Sequence, residues 1–160
     1  MEIRKATLAD LAAVTAVEAE CFPAAEAATE ESFRARLSVY PDHFWLLFDG
    51  DKLISFVNGM VTDIADLCDE MYENAAMHDE NGAWQMIFGV NTIPSYRRRG
   101  LAEQVLRQVI ADAKIQGRKG LVLTCKDKLV HYYGKLGFVS EGISQSGHGG
   151  VVWYQMRLKF

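Results

Sequence analysis

The stretch Val90–Ala113, VNTIPSYRRRGLAEQVLRQVIADA, passes from an apolar run to a helical pattern through three consecutive arginines and a glycine. Ahead of the arginines, AWQMIFGVNTI (residues 83–93) reads as a buried strand. Behind them, Leu101, Val105, Val109 and Ala113 recur on one face of a helix running from about Leu101 to Gln116, and Gly117 and Gly120 bracket its exit. A turn between a buried strand and a helix leaves the first helical amides without partners, and those amides together with the helix dipole favour an anion. Arg97, Arg98 and Arg99 raise the local positive potential, Gly100 permits close backbone approach, and Ala102 is small enough to leave room beside the helix start. A pyrophosphate matches such a site. A solvated basic helix start is the alternative reading of the same residues, and the rest of the chain has to decide between them.

Working outward, Met1–Ala6 alternates as a short strand, and Thr7 with Asp10 three residues on predicts a helix cap. Leu11, Val14, Val17 and Cys21 carry a first helix that Phe22-Pro23 ends, because a residue before proline avoids helical geometry. TEESFRARLSVY (residues 29–40) predicts a second helix, capped by Thr29. HFWLLFDGDKLISFVNGMV (residues 43–61) predicts an antiparallel hairpin around Asp49-Gly50-Asp51. Residues 62–82 mix acids with apolar residues and read as a loop with a helical piece, outside the core. GLVLTC (residues 120–125) is a short buried strand and KLVHYYGKL (residues 128–136) a short helix. Gly137-Phe138 then opens a strand pair running through VVWYQMRLKF (residues 151–160).

A chain of 160 residues, 49% hydrophobic and 24% charged, fits one compact domain with its own core, residues 1–160. Its formal net charge of −4 argues against nucleic acid as the main partner, since that partnership rests on neutralising many phosphates. No G-x-x-x-x-G-K-[ST] occurs and no G-x-G-x-x-G follows the first strand, which disfavours nucleoside triphosphates and dinucleotides as the pyrophosphate. Cys21, Cys68 and Cys125 are dispersed, so neither a disulfide framework nor a metal site is indicated, and reduced thiols in a cytoplasmic protein are the plain expectation. No apolar window approaches the roughly 18 residues of a membrane span.

The order strand, two helices, hairpin, strand, RRRGLA, helix, strand, HYYGKLGF resembles the GNAT superfamily of acyl-CoA-dependent N-acyltransferases, whose cofactor motif is [Q/R]-x-x-G-x-[G/A]; Arg97, Gly100 and Ala102 fit it. Within that superfamily, ECFP (residues 20–23) and LTCKDKLVHYYGKLGF (residues 123–138) are similar to segments of the arylalkylamine (serotonin) N-acetyltransferase group. The resemblance implies an α/β fold with a central mixed sheet flanked by helices, acetyl-CoA as co-substrate, and a small-molecule amine as acceptor. Carried over by position, it implies that Val90, Asn91 and Thr92 face the pantetheine arm. Amides of Arg98, Arg99, Gly100, Leu101, Ala102 and Glu103 would hold the pyrophosphate. Tyr133 would stand beside the thioester sulfur as its proton donor.

One departure matters: the positions of the group's paired histidines hold Met86 and Phe88, so the base that deprotonates the amine is unassigned. Glu26, Asp63 and His131 are candidates by rough location, each with a solvated side chain as the alternative; His43, His78 and His148 receive no role. Trp84, Met86 and Phe88 on one strand face, with Phe22, would line an apolar acceptor pocket or else belong to the ordinary core. The acidic tract either attracts a cationic amine or is a solvated insertion. A domain that binds acyl-CoA without transferring it is the competing function, and the last strand is a candidate for pairing with a second copy of the chain.

Overall fold

The computed structural model describes residues 1–160. Nine strands and five helices follow one another: β1 (Glu2–Lys5), α1 (Leu11–Cys21), α2 (Glu30–Val39), β2 (Phe44–Asp49), β3 (Lys52–Asn58), β4 (Val61–Thr62), α3 (Glu70–Glu73), β5 (Trp84–Ile87), β6 (Gly89–Thr92), α4 (Leu101–Ile115), β7 (Gly120–Cys125), α5 (Val130–Gly134), β8 (Val139–Ile143) and β9 (Tyr154–Lys159). No helix is long and apolar enough to cross a membrane.

The strands form a mixed sheet in two halves, β1-β2-β3-β6 and β4-β5-β7-β9-β8. Only β5 and β7 run parallel; every other pair is antiparallel. Residues 84–92, expected as one strand, break at Phe88. The Phe88 amide donates to the Asn58 carbonyl (2.8 Å), yet Gly89 is the residue in register with Asn58. Two residues therefore face one, which is a β-bulge, and bulges bend the strand that carries them. Before the bulge the chain pairs with β7, ending at Ile87↔Leu123; after it the chain pairs only with β3. The halves diverge there, and a cleft opens between β6 and the end of β7.

Helices cover both faces of the β2–β3 hairpin. Adjacent residues of a strand point oppositely: Phe44 meets Phe33 of α2 edge-on (centroids 6.2 Å), while the indole of its neighbour Trp45 donates to Asp112 of α4 (2.8 Å). The caps form as their residues predict, with the Thr7 amide donating to Asp10 (2.9 Å) and the Ser32 amide to Thr29 Oγ1 (3.2 Å). Leu101, Val105, Val109 and Ala113 are all buried, as is Leu106.

The acidic tract departs from its expectation. Leu67, Met71 and Ala75 are buried in the main core, so this segment is part of it. Several of its acids have partners in the fold: Asp66 pairs with Arg157 (2.6 Å), Asp63 accepts from the Ala83 amide (2.9 Å), and Glu80 binds His43 (3.0 Å), His78 (2.9 Å) and Arg118 (3.1 Å). Those contacts fasten the segment to the sheet.

Candidate functional site

The cleft between β6 and β7 has a volume of about 800 Å³. One end is the arginine turn. Arg98 adopts φ +65° and Gly100 φ +73°, so the chain enters α4 through two left-handed residues, and Gly100 caps the helix start with no side-chain cap on its first amides. A Cβ at Gly100 would meet no atom within 4 Å, which leaves open space against the helix start. Arg97, Arg98, Gly100, Leu101, Ala102 and Glu103 line this end. Arg97 also fixes the turn to the strand, its Nε donating to the Thr92 carbonyl (2.9 Å). Arg99 does not line the cleft: its guanidinium lies over the Tyr96 ring, 4.9 Å from the centroid.

The middle of the cleft is the unpaired edge of β6. The Ile93 amide donates to Ile54 of β3 (2.9 Å), and alternate amides of a strand point opposite ways, so those of Thr92 and Val90 face the cleft. Both residues line it. The side chain of Asn91 does not; it is buried and turned back to α1, donating to Glu18 (2.7 Å).

Opposite stand Leu123, Thr124, Cys125 and Lys126 of the β7 side, with Tyr132 and Tyr133 of α5. Tyr133 is buried edge-on against Tyr132 (5.1 Å) and Phe138 (5.9 Å), and burial pushes its phenol well above the usual tyrosine range, so it remains an O–H donor. Burial pushes the Cys125 thiol up to about 11, and Cys21, which donates to the Thr92 carbonyl (3.3 Å), is raised for the same reason. A thiol held protonated is a poor nucleophile.

The far end is aromatic and acidic. Phe22 and Phe88 line it, as the sequence suggested; Trp84 and Met86 do not. Both lie on β5 ahead of the bulge at Phe88, and of that strand only its last residue, Ile87, reaches the cleft. Met86 is core, and Trp84 lies beneath the Arg157 guanidinium (4.6 Å). Four further groups close this end. Tyr72 stacks on His148 (4.8 Å), Trp153 donates to the His148 carbonyl (2.7 Å), and Glu26 is gripped by Lys126 (3.0 Å). Asp63 and His131 do not line the cleft.

Glu18 of α1 is the residue that sequence reasoning missed. It is 6% exposed and lines the cleft, accepting from the Ala28 amide (2.9 Å) and from Asn91. Burial raises its carboxyl pKa, outweighing those two bonds. A signal was present: Glu18 sits at i+4 from Val14 and i−3 from Cys21, an acid on the apolar stripe of α1. His148 carried no comparable signal, being one histidine in a glycine-rich loop.

The model of the acetyltransferase (GNAT) family matches residues 11–138, most of the chain, and the protein belongs to that family. Among solved structures, the chain is similar to the GphF GNAT-like decarboxylase in complex with isobutyryl-CoA, with a TM-score of 0.83, 22% identity and 99% of each chain covered. It is similar to the loading GNATL domain of CurA from Lyngbya majuscula, with a TM-score of 0.84 and 15% identity over 99% of this chain and 96% of that one. PaiA N-acetyltransferase from Thermoplasma acidophilum in complex with coenzyme A has a TM-score of 0.71 and 16% identity over 99% and 98%. At these identities the likeness is one of fold. A search of curated proteins returned no match.

Proposed function

We propose that the protein is an N-acetyltransferase that moves an acetyl group from acetyl-CoA to the primary amine of a small molecule, by direct attack within a ternary complex. The observation that carries this reading is one continuous cleft holding, in order, an anion-seeking helix start, an unpaired strand edge, a non-ionising phenol and an aromatic end with carboxylates. The turn at Arg97–Glu103 suits the pyrophosphate, and the β6 edge suits the amide-bearing pantetheine arm. The Val90 amide is oriented to polarise the thioester carbonyl as its oxygen gains charge. The amine nitrogen forms the new C–N bond, the C–S bond breaks, and Tyr133 supplies a proton to the departing sulfur. Phe22, Phe88, Tyr72 and Trp153 favour an acceptor with an aryl or alkyl body, the arylalkylamine type among them. With both cleft thiols held protonated, an acyl-enzyme has no ready nucleophile.

The test is release of free CoA thiol from acetyl-CoA across a library of primary amines. Aryl- and alkylamines are expected to give turnover. Tight acetyl-CoA binding with no thiol released from any amine would instead identify a module that binds acyl-CoA without transferring it.

The turn has its own test. Arg98→Glu leaves the backbone penalty at this left-handed position unchanged, because arginine and glutamate share it, and reverses one charge at the cleft. Calorimetric titration is expected to show acetyl-CoA binding weakened about tenfold at low ionic strength, with a smaller loss in 0.5 M salt. Arg99→Glu, which alters a group over Tyr96, should have the lesser effect. Equal affinities in all three proteins would make the arginines surface charge only.

A further inference from the structure

We propose that Glu18 is the group that takes the proton from the acceptor amine, and that Asn91 is its positioning residue. This rests on the acyl-transfer reading above and supplies the base that the sequence left unassigned. Glu18 Oε1 lies 3.6 Å from where a Cβ on Gly89 would stand, so the carboxyl abuts the bulge that opens the cleft, one residue before Val90. It also lines a second small cavity, about 70 Å³, that shares Glu26, Tyr72, Phe88 and His148 with the main cleft. The carboxyl therefore stands at the acceptor end, next to the strand edge assigned to the thioester.

Its partners suit a group that gains and loses a proton. Oε1 accepts from Asn91 and Oε2 from Ala28, both neutral donors, which leaves one lone pair on each oxygen. Glu26 differs: both of its oxygens lie against Lys126 Nζ (3.0 and 3.1 Å), so it is tied into an ion pair, which Glu18 is not. The charged or titratable groups around Glu18 are Arg36 from α2, Glu26 from the α1–α2 loop, Tyr72 and Glu73 from α3, and His148 from the loop before β9, with Cys21 on its own helix. Arg36 directs its fork at the Asn58 side chain (3.0 Å) and the Tyr72 carbonyl (2.7 Å), so it does not clamp Glu18.

Asn91 completes the arrangement. Its Oδ1 is buried with no hydrogen-bond partner, an uncommon state for a core oxygen. With Glu18 ionised, Asn91 Nδ2 donates to it. With Glu18 protonated, a half-turn of the amide presents Oδ1 to accept the new O–H, while the Ala28 amide keeps its bond to the other oxygen. Either state leaves one atom of the Asn91 amide free, so both forms of the carboxyl keep a partner, and the bond to the ionised form is the stronger because it is charge-assisted.

The step balances. An ammonium R–NH₃⁺ gives one proton to the Glu18 carboxylate, and the neutral nitrogen attacks the thioester carbonyl. The nitrogen's second proton replaces the one Tyr133 gives to sulfur as the C–S bond breaks. The products are amide and CoA thiol, and Glu18 returns its proton to solvent.

The experiment compares wild type, Glu18→Gln and Asn91→Ala with phenethylamine and its far less basic β,β-difluoro analogue as probes, recording kcat/KM against pH and acetyl-CoA affinity. Glu18→Gln can keep both hydrogen bonds by the same half-turn of Asn91. It is expected to lose about 10²-fold or more in kcat with phenethylamine, to exchange the wild-type acidic limb for one that follows the amine's own basicity, and to be markedly less impaired with the fluorinated amine. Asn91→Ala removes a donor to the ionised form and should move the acidic limb to higher pH, an outcome that stands even if Glu18→Gln fails to fold. An active wild type with equal losses for both amines, or with an unshifted limb in Asn91→Ala, would overturn the assignment while leaving acyl transfer standing. A wild type that binds acetyl-CoA but acetylates neither these nor any other primary amine would overturn both.

Discussion

Gly59→Ala is expected to lower the melting temperature by about 10 °C and to cost on the order of 4 kcal/mol, measured by thermal and urea unfolding. The cause is contact with backbone, not backbone conformation. A Cβ at Gly59 would stand 1.8 Å from the Met86 carbonyl oxygen and 2.6 Å from its carbon, far inside van der Waals contact. That carbonyl cannot retreat cheaply. The Met86 amide donates to the Met60 carbonyl (2.8 Å), and the buried Gln85 side chain donates to the carbonyls of Gly59 (2.9 Å) and Met86 (2.8 Å), so the β3–β4 junction is bonded to β5 on both sides of the contact. Relief requires β5 to shift against that junction, where the two half-sheets part. Gly50→Ala is the control: φ is +58° but nothing lies within 4 Å, and its loss should be only about 1 kcal/mol. Equal melting points for the two variants would mean that the contact between the β3–β4 junction and β5 is slack.

The contrast between these glycines also marks how far the sequence could be read. Asp49-Gly50-Asp51 announced a hairpin because a tight turn is a local event, settled by the few residues that make it. The helix behind the arginine turn was legible for the same reason, its periodicity being written in its own residues. Gly59 carries no local mark, because its constraint comes from a strand nearly thirty residues away.

The same distinction separates the two ends of the cleft. The end proposed for the acyl-CoA, from Val90 to Glu103, is one continuous segment, so spacing and family resemblance could propose it. The acceptor end is assembled from α1, the α1–α2 loop, the acidic tract, the end of β7 and the glycine-rich loop before β9, so no pattern in the chain points to it. Trp84 and Met86 were assigned there because alternation assumes an unbroken strand in uniform surroundings. The bulge at Phe88 divides that strand into a part paired with β7, of which only Ile87 reaches the cleft, and a part whose free edge forms the cleft wall. Phe22, Phe88 and Glu26 could be named from the sequence, whereas Glu18 was missed although it is an acid on an apolar helix face.

Tyr133→Phe should reduce kcat about 10²-fold while leaving acetyl-CoA affinity and melting temperature nearly unchanged. The substitution removes one oxygen and keeps the ring with its edge-on contacts to Tyr132 and Phe138. What disappears is a proton donor in the cleft wall facing the unpaired edge of β6. Burial disfavours the phenolate, so the donor is present across the working pH range, and Tyr133 should contribute no alkaline limb to the wild-type profile below about pH 10. The two ends of the reaction are thereby separable. Glu18→Gln should act on the acidic limb and depend on the basicity of the amine; Tyr133→Phe should lower the plateau alone and respond to the leaving group. Replacing the acetyl thioester by an acetyl donor with a more acidic thiol gives the deciding comparison, since a sulfur that departs readily needs less help from a proton. The Tyr133→Phe deficit should shrink with that donor while the Glu18→Gln deficit stays. A deficit in Tyr133→Phe that is the same for both donors would mean that the phenol orients the site without protonating sulfur.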